Sequence, residues 1–116
     1  MTDTVILPWP TKALHPNARV HWAKLSRAKA DYRFACSTLT RQAGIKFTKD
    51  DKLHVGLVFY APDKRRRDLD GMLSACKAGL DGVADAIGCD DHQWTISMSV
   101  AQEIGGYVRV SIQRRE

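Results

Sequence analysis

The chain has 116 residues, of which 44% are hydrophobic and 27% are charged, a composition typical of one globular domain spanning 1–116. The N-terminus lacks the basic and apolar regions of a secretory leader, and no apolar run approaches the length that crosses a bilayer, so we expect neither secretion nor membrane insertion. The net charge of +5 favours an anionic partner such as nucleic acid.

The first half of the chain predicts a strand, a loop and a long helix. Residues 4–9 form a short apolar run that prolines end, and residues 12–20 carry the turn-forming Pro16 and Asn17. Residues 21–43 repeat apolar side chains at helical spacing, and Gly44 suits the C-terminal cap. On this helix we expect Trp22 to pack in the core.

The second half predicts a strand, a second helix and two further strands. Residues 52–60 alternate in polarity, and the helix runs from just after Asp70 to about residue 86, with Gly88 ending it. Strands follow at 95–100 and 107–112, and the glycines at 105–106 indicate a hairpin between them. The order β-α-β-α-β-β predicts an α+β fold, a single two-layer domain in which a small mixed sheet packs with two helices.

The most informative segment is 63–70, which reads DKRRRDLD. Cations suit phosphate binding, and arginine in particular contacts two phosphate oxygens at once. The predicted DNA-binding residues are Lys64, Arg65, Arg66 and Arg67, with Lys12 and Arg19 extending the basic surface.

Two carboxylates, Asp68 and Asp70, follow these cations directly, and oxygen ligands of this kind are the ones that Mg²⁺ prefers. An extended backbone would direct both side chains to one side, and Asp91 joins them if the turn after the second helix folds back. Structural roles stay open, because Asp70 also suits a helix N-cap, and Asp90 and Asp91 suit a turn.

Lys77 lies two helical turns beyond Asp70 on the same polar stripe, so it can reach a phosphate near that carboxylate. The alternative is an ordinary ion pair with Asp81, four residues later. The sequence contains no phosphate-binding loop motif, and we therefore expect no nucleotide cofactor. The three cysteines are odd in number and lack zinc-ligand spacing, which favours free thiols in the cytoplasm.

The arginine run with its Asp-x-Asp, the lysine-bearing helix and the later Gly-x-Asp-Asp (88–91) resemble the RusA-like Holliday junction resolvases of bacteria and phages. Residues 7–10 and 16–22 are also similar to phage members. The resemblance implies a homodimer that cuts four-way branched DNA symmetrically with Mg²⁺, for which Mn²⁺ would substitute. It assigns metal binding and catalysis to Asp68, Asp70 and Asp91. Ser74 occupies the position of the family's helix lysine, which leaves the catalytic role of that lysine to Lys77. Gly71 occupies the position directly after Asp-x-Asp, where the family commonly has an asparagine.

The predicted function is therefore Holliday junction resolution in DNA recombination and repair. Two alternatives stay open: a less selective nuclease acting on flaps or forks, and a junction-binding protein without catalysis.

Overall fold

A computed structural model describes residues 3–115, so residues 1, 2 and 116 of the predicted domain lie outside the described residues. The element order within this range is the predicted one: β1 (Asp3–Pro8), α1 (Trp22–Gln42), β2 (Leu53–Tyr60), α2 (Leu69–Ile87), β3 (Trp94–Val100) and β4 (Tyr107–Arg114). Short 3-10 turns precede α1 at Lys12–Leu14 and β3 at Asp91–Gln93. The fold is the expected α+β domain, with a four-stranded mixed sheet and two helices.

The four strands lie in the order β1-β4-β2-β3. β4 pairs antiparallel with both β1 and β2, whereas β3 pairs parallel with β2 through the α2 crossover. The predicted hairpin between β3 and β4 is therefore wrong, because β2 lies between these two strands. The glycines bind the end of β2 instead: the Gly105 N–H donates to the Ala61 carbonyl at 2.9 Å, and the Gly106 N–H donates to the Tyr60 carbonyl at 2.6 Å.

Burial explains why β4 occupies the centre of the sheet. Its apolar residues Val108, Val110 and Ile112 are fully buried, which requires a strand on each side and a helix above. The alternation in β3 has the same period, yet Ile96 and Val100 keep 43% and 47% of their surface exposed at the sheet edge. Alternation alone does not distinguish a central strand from an edge strand.

The two helices cover one face of the sheet. The predicted apolar stripe of α2 is buried, and Gly88 ends the helix with a left-handed backbone (φ 77°). On α1, Tyr32 and Cys36 are buried, and the Tyr32 hydroxyl donates to the Pro8 carbonyl of β1 at 2.7 Å. Trp22 is 75% exposed, which corrects the expectation that it packs in the core: it is the first residue of α1 and lies beyond the sheet-covering part. No helix in residues 3–115 is long and apolar enough to span a membrane.

Candidate active site

The acidic pair Asp68 and Asp70 lies at the start of α2. Asp68 occupies the N-cap position with extended backbone, and its exposed side chain accepts no capping hydrogen bond. Asp70 lies in the first helical turn, where its Oδ1 accepts a hydrogen bond from the Gly71 N–H at 2.9 Å. Asp68 rather than Asp70 thus occupies the N-cap position, and it does so without a capping hydrogen bond from its side chain. The expected extended backbone ends at Asp68 because the helix starts at Leu69.

Asp63 organises the arginine run. Its carboxylate accepts the Arg65 backbone N–H at 2.9 Å and pairs with the guanidinium groups of Arg65 at 3.3 Å and Arg67 at 3.0 Å. These contacts, with the Arg65 N–H contributing most, lower the pKa of Asp63. Arg67 is the most restrained cation, since its side chain is only 16% exposed and its guanidinium lies 5.5 Å from the Trp9 ring centroid. The run therefore ends in one restrained arginine, Arg67, which follows more exposed cations and precedes Asp68.

Three cavities border the loop at His15. The basic cavity, of about 410 Å³, is lined by Trp9, Pro10, Lys12, His15, Pro62, Arg65, Arg66 and Arg67. The carboxylate cavity, of about 200 Å³, is lined by His15, Pro16, Asn17, Arg66, Arg67, Asp68, Gly71 and Met72. The interhelix cleft, of about 540 Å³, lies between α1, α2 and residues 13–18.

Arg66 and Arg67 line both the basic and the carboxylate cavity, so predicted phosphate-binding cations and the Asp68 carboxylate share one surface. The predicted cations Lys64 and Arg19 are exposed and do not line these three cavities.

Lys77 joins two carboxylates on the exposed side of α2. Its ammonium donates to Asp81 Oδ1 at 2.8 Å and to Asp91 Oδ2 at 3.0 Å, and these bonds, Asp81 first, raise the pKa of Lys77. The ion pair with Asp81 that the sequence offered as the alternative is present, and Lys77 also contacts Asp91, a predicted catalytic carboxylate. Its contact with a phosphate stays a prediction. Asp90 accepts the Asp91 N–H at 3.1 Å as cap of the 3-10 turn, which leaves Asp91 to face Lys77.

The two parts of the predicted metal site lie apart in one chain. α2 rises about 16 Å between Asp70 and Asp81, and Asp91 is held at the Asp81 end through Lys77. Across residues 3–115, no three His, Cys, Asp or Glu side chains lie close enough together to hold a metal ion. The structure therefore brings Asp91 to Lys77, and Asp68 to the arginines, without bringing Asp91 to Asp68 and Asp70.

The donor chemistry nevertheless suits Mg²⁺. All three aspartates are exposed, and the Asp68 carboxylate has no capping role to give up. Hard carboxylate oxygens are the ligands that Mg²⁺ prefers, and a bound Mg²⁺ would supply charge stabilisation to a phosphodiester.

The sequence interpretation missed two residues that build this surface. Asp63 holds Arg67, four residues later, but both lie outside the helices, so helical spacing gave no signal for this pair. His15 borders all three cavities, and its sequence neighbourhood carries no signal for that position.

Comparison with known proteins gives one family relationship. No family model matches the chain. A protein of Xylella fastidiosa, described as an uncharacterized protein, is 35% identical to it over 115 residues, which cover 95% of this chain and 75% of the relative. The chain therefore belongs to the same family as this Xylella fastidiosa protein.

Proposed function

We propose that the protein is a Mg²⁺-dependent endodeoxyribonuclease of the RusA-like type, which cuts four-way DNA junctions in recombination and repair, with Mn²⁺ as a substitute metal. The observation that carries the proposal is the free Asp68 carboxylate at a cavity that Arg66 and Arg67 also line. Metal-dependent phosphodiester hydrolysis uses a carboxylate-bound metal beside cations that hold the phosphate, and this surface offers carboxylates and cations together. The three free, buried cysteines suit a reducing cytoplasm.

Each group then has a defined task. Lys12 and the exposed members of the arginine run bind the DNA backbone, whereas Arg67, held by Asp63 and Trp9, presents a fixed charge beside Asp68. Lys77 neutralises charge that develops on the phosphate. Asp68, Asp70 and Asp91 would hold the metal, whose chemistry is to stabilise the attacking and leaving oxygens.

A homodimer is supported by the edge strand β3. Its seven residues, Trp94–Val100, include no charged residue and no proline, and Ile96 and Val100 extend the core face beyond the helices. Natural edge strands are normally protected by charges or prolines; the opposite edge strand, β1, has Asp3 and Pro8. A second copy of the chain suits this strand. Each copy carries a net charge of +5, but two uncharged β3 strands can pair without bringing like charges together.

Antiparallel pairing of two β3 strands about a two-fold axis would also address the separated carboxylates. The partner's β3 would begin beside the C-terminal end of this β3. β2 is parallel to β3 and ends on the same side of the sheet, and from there the chain continues towards Asp68. Asp91 immediately precedes β3 in the partner, so each composite site would combine Asp68 and Asp70 of one copy with Asp91 of the other. Two such sites related by symmetry would make paired cuts in a junction.

The test is cleavage of an end-labelled four-way junction in Mg²⁺ or EDTA by the wild type, Asp70→Asn and the control Asp31→Asn. Asp31 is an exposed aspartate of α1, so its variant makes the same charge change away from the site. We expect symmetric nicks from the wild type and the control, and none from Asp70→Asn or in EDTA. Equal cleavage by all three proteins would refute the assignment, and nicks of equal rate on flaps or forks would favour the less selective nuclease.

A junction-binding protein without catalysis is the second candidate, and one observation favours it. Asp91 is paired with Lys77, near the middle of α2, rather than placed beside Asp68, so a single chain has no assembled metal site in the described residues. Retardation of the junction without any cut in Mg²⁺ or Mn²⁺ would select this candidate.

A further inference from the structure

The interhelix cleft has a lining unlike that of the two neighbouring cavities. Its floor consists of small or aliphatic side chains, which include Ala13, Leu14, Ala18, Leu25, Ala75 and Ala78. Its polar groups lie in the 13–18 loop and along the helices, at His15, Lys29, Ser74, Lys77 and Asp81. A cavity of about 540 Å³ is in the size range of small-ligand sites. An apolar floor with a basic rim suits a ligand that is flat and apolar in one part and anionic in another.

One cation of the rim is available to an anionic ligand. Lys77 is shared by two carboxylates, Asp81 at 2.8 Å and Asp91 at 3.0 Å. Arg33 also lines the cleft, and its guanidinium is likewise held by a carboxylate, at 2.7 and 2.9 Å. Lys29 is exposed and makes no ion pair within residues 3–115, so it is the rim cation that can bind a phosphate.

The position of the cleft, next to the basic cavity, indicates that the ligand is part of the bound DNA. His15 lines the cleft and also the basic cavity, and Lys77 lines the cleft while it contacts Asp91. A DNA strand bound at the arginine run could reach Lys29 on the cleft rim, because the basic cavity and the cleft adjoin at His15. Bases at a branch point are the easiest to unstack, because the cost of extruding a base is least where pairing is already broken.

We propose that the interhelix cleft receives one unstacked nucleotide of the DNA, with its base on the alanine-lined floor and its phosphate at Lys29. This proposal rests on the proposed function for the identity of the ligand. It adds a base-binding site to a surface that otherwise contacts phosphates. Such a site would anchor the branch point beside the reacting phosphate and would let the protein select a base at that position.

Ala30→Phe is the variant that fills the cleft. Ala30 lines the cleft from the exposed side of α1, so a phenylalanine there occupies cleft volume without entering the core. Ala23→Phe is the matched control, since Ala23 is an exposed alanine of the same helix that does not line the cleft. Circular dichroism and thermal melting establish that both variants are folded.

The experiment places 2-aminopurine, whose fluorescence rises when it leaves the base stack, at each branch-point position of a four-way junction in turn. Full-length protein is added in EDTA, which keeps every phosphodiester intact. We expect a several-fold rise at one position with the wild type and with Ala23→Phe, and no rise with Ala30→Phe. Replacing that nucleotide by an abasic residue should weaken wild-type binding about tenfold and leave Ala30→Phe binding unchanged.

Three results would overturn the proposal: no rise at any branch-point position, a rise that survives in Ala30→Phe, or a change in association state of Ala30→Phe without a change in fluorescence. The last would make the cleft a protein contact. The proposed catalysis is tested separately, because fluorescence needs no metal and no cut. A single-stranded oligonucleotide containing 2-aminopurine extends the test to the case in which the junction is not the substrate.

Discussion

The two helices approach each other most closely at Gly82 of α2. A Cβ atom at this position would lie 2.1 Å from the Arg33 carbonyl oxygen and 3.0 Å from the Ser37 backbone nitrogen on α1. Contacts between a carbon and a carbonyl oxygen are normally longer by more than about 1 Å, and a helix backbone cannot rotate away as a side chain can. Gly82→Ala therefore has to separate the helices.

The expected cost follows from two opposing effects. Alanine in a helix interior is favoured over glycine by about 1 kcal/mol. Overpacking costs about 1–3 kcal/mol, and contact with backbone atoms on the facing helix puts Gly82 at the upper end. We expect Gly82→Ala to lose about 2 kcal/mol net. Gly71→Ala is the control: its Cβ would meet only Pro16 Cγ at 3.9 Å, so we expect a gain of about 0.5–1 kcal/mol.

Urea unfolding followed by circular dichroism measures both variants. With a slope of about 2 kcal/mol per molar urea, the midpoint should fall by about 1 M for Gly82→Ala and rise by a few tenths for Gly71→Ala. Unchanged slopes would show that the compactness of the two states is preserved. A Gly82→Ala midpoint at or above that of the wild type would refute the close helix contact.

Four further outcomes are expected. If the proposed dimer forms through β3, Ile96→Lys should shift it to monomer in light scattering, whereas Ile6→Lys on the opposite edge strand, at a similarly exposed isoleucine, should not. Mixing Asp68→Asn with Asp91→Asn protein should restore nicking that neither shows alone, and no recovery would mean that each site is built within one chain. The pKa of Lys77 is raised, so its ion pairs are fully present at pH values below the ordinary lysine pKa and are lost only as the pH rises through the raised pKa. Deprotonation of Lys77 should therefore not lower the cleavage rate between about pH 7 and 10. Burial raises the pKa of all three cysteine thiols, so a thiol reagent at pH 8 should modify none in the native protein and three after unfolding.

Local periodicity predicted the helices and strands well, because the spacing of apolar residues within an element reflects which of its faces is buried. The stripe on α2 and the alternation in β2 are both realised, and Gly88 ends its helix as expected. Sheet order was not predictable in the same way. The glycines at 105–106 suit a hairpin and equally suit the tight passage past Tyr60 that they form. Which occurs depends on the burial of β4 between β1 and β2, a nonlocal property.

In the candidate site, too, local features were predictable from the sequence and nonlocal ones were not. That cations adjoin Asp68 follows from sequence adjacency, and that Lys77 pairs with Asp81 follows from helical spacing. The position of Asp91 depends on where the turn after α2 leads, and the turn holds it beside Lys77 rather than beside Asp68. A motif fixes residue types and spacings, whereas convergence of Asp91 with carboxylates 21 and 23 residues earlier depends on the tertiary or quaternary arrangement.

Small residues on α2 connect the stability of the domain with the cleft. Gly82 admits the backbone of α1, and Gly79 admits the Tyr32 ring, which a Cβ at Gly79 would meet at 2.5 Å. Ala75 and Ala78, one helical turn earlier, leave the space that becomes the interhelix cleft. The close contact therefore sets the helix spacing on which the cleft volume depends. If Gly82→Ala separates the helices, it should also change the fluorescence of a base in the cleft, although residue 82 does not line it.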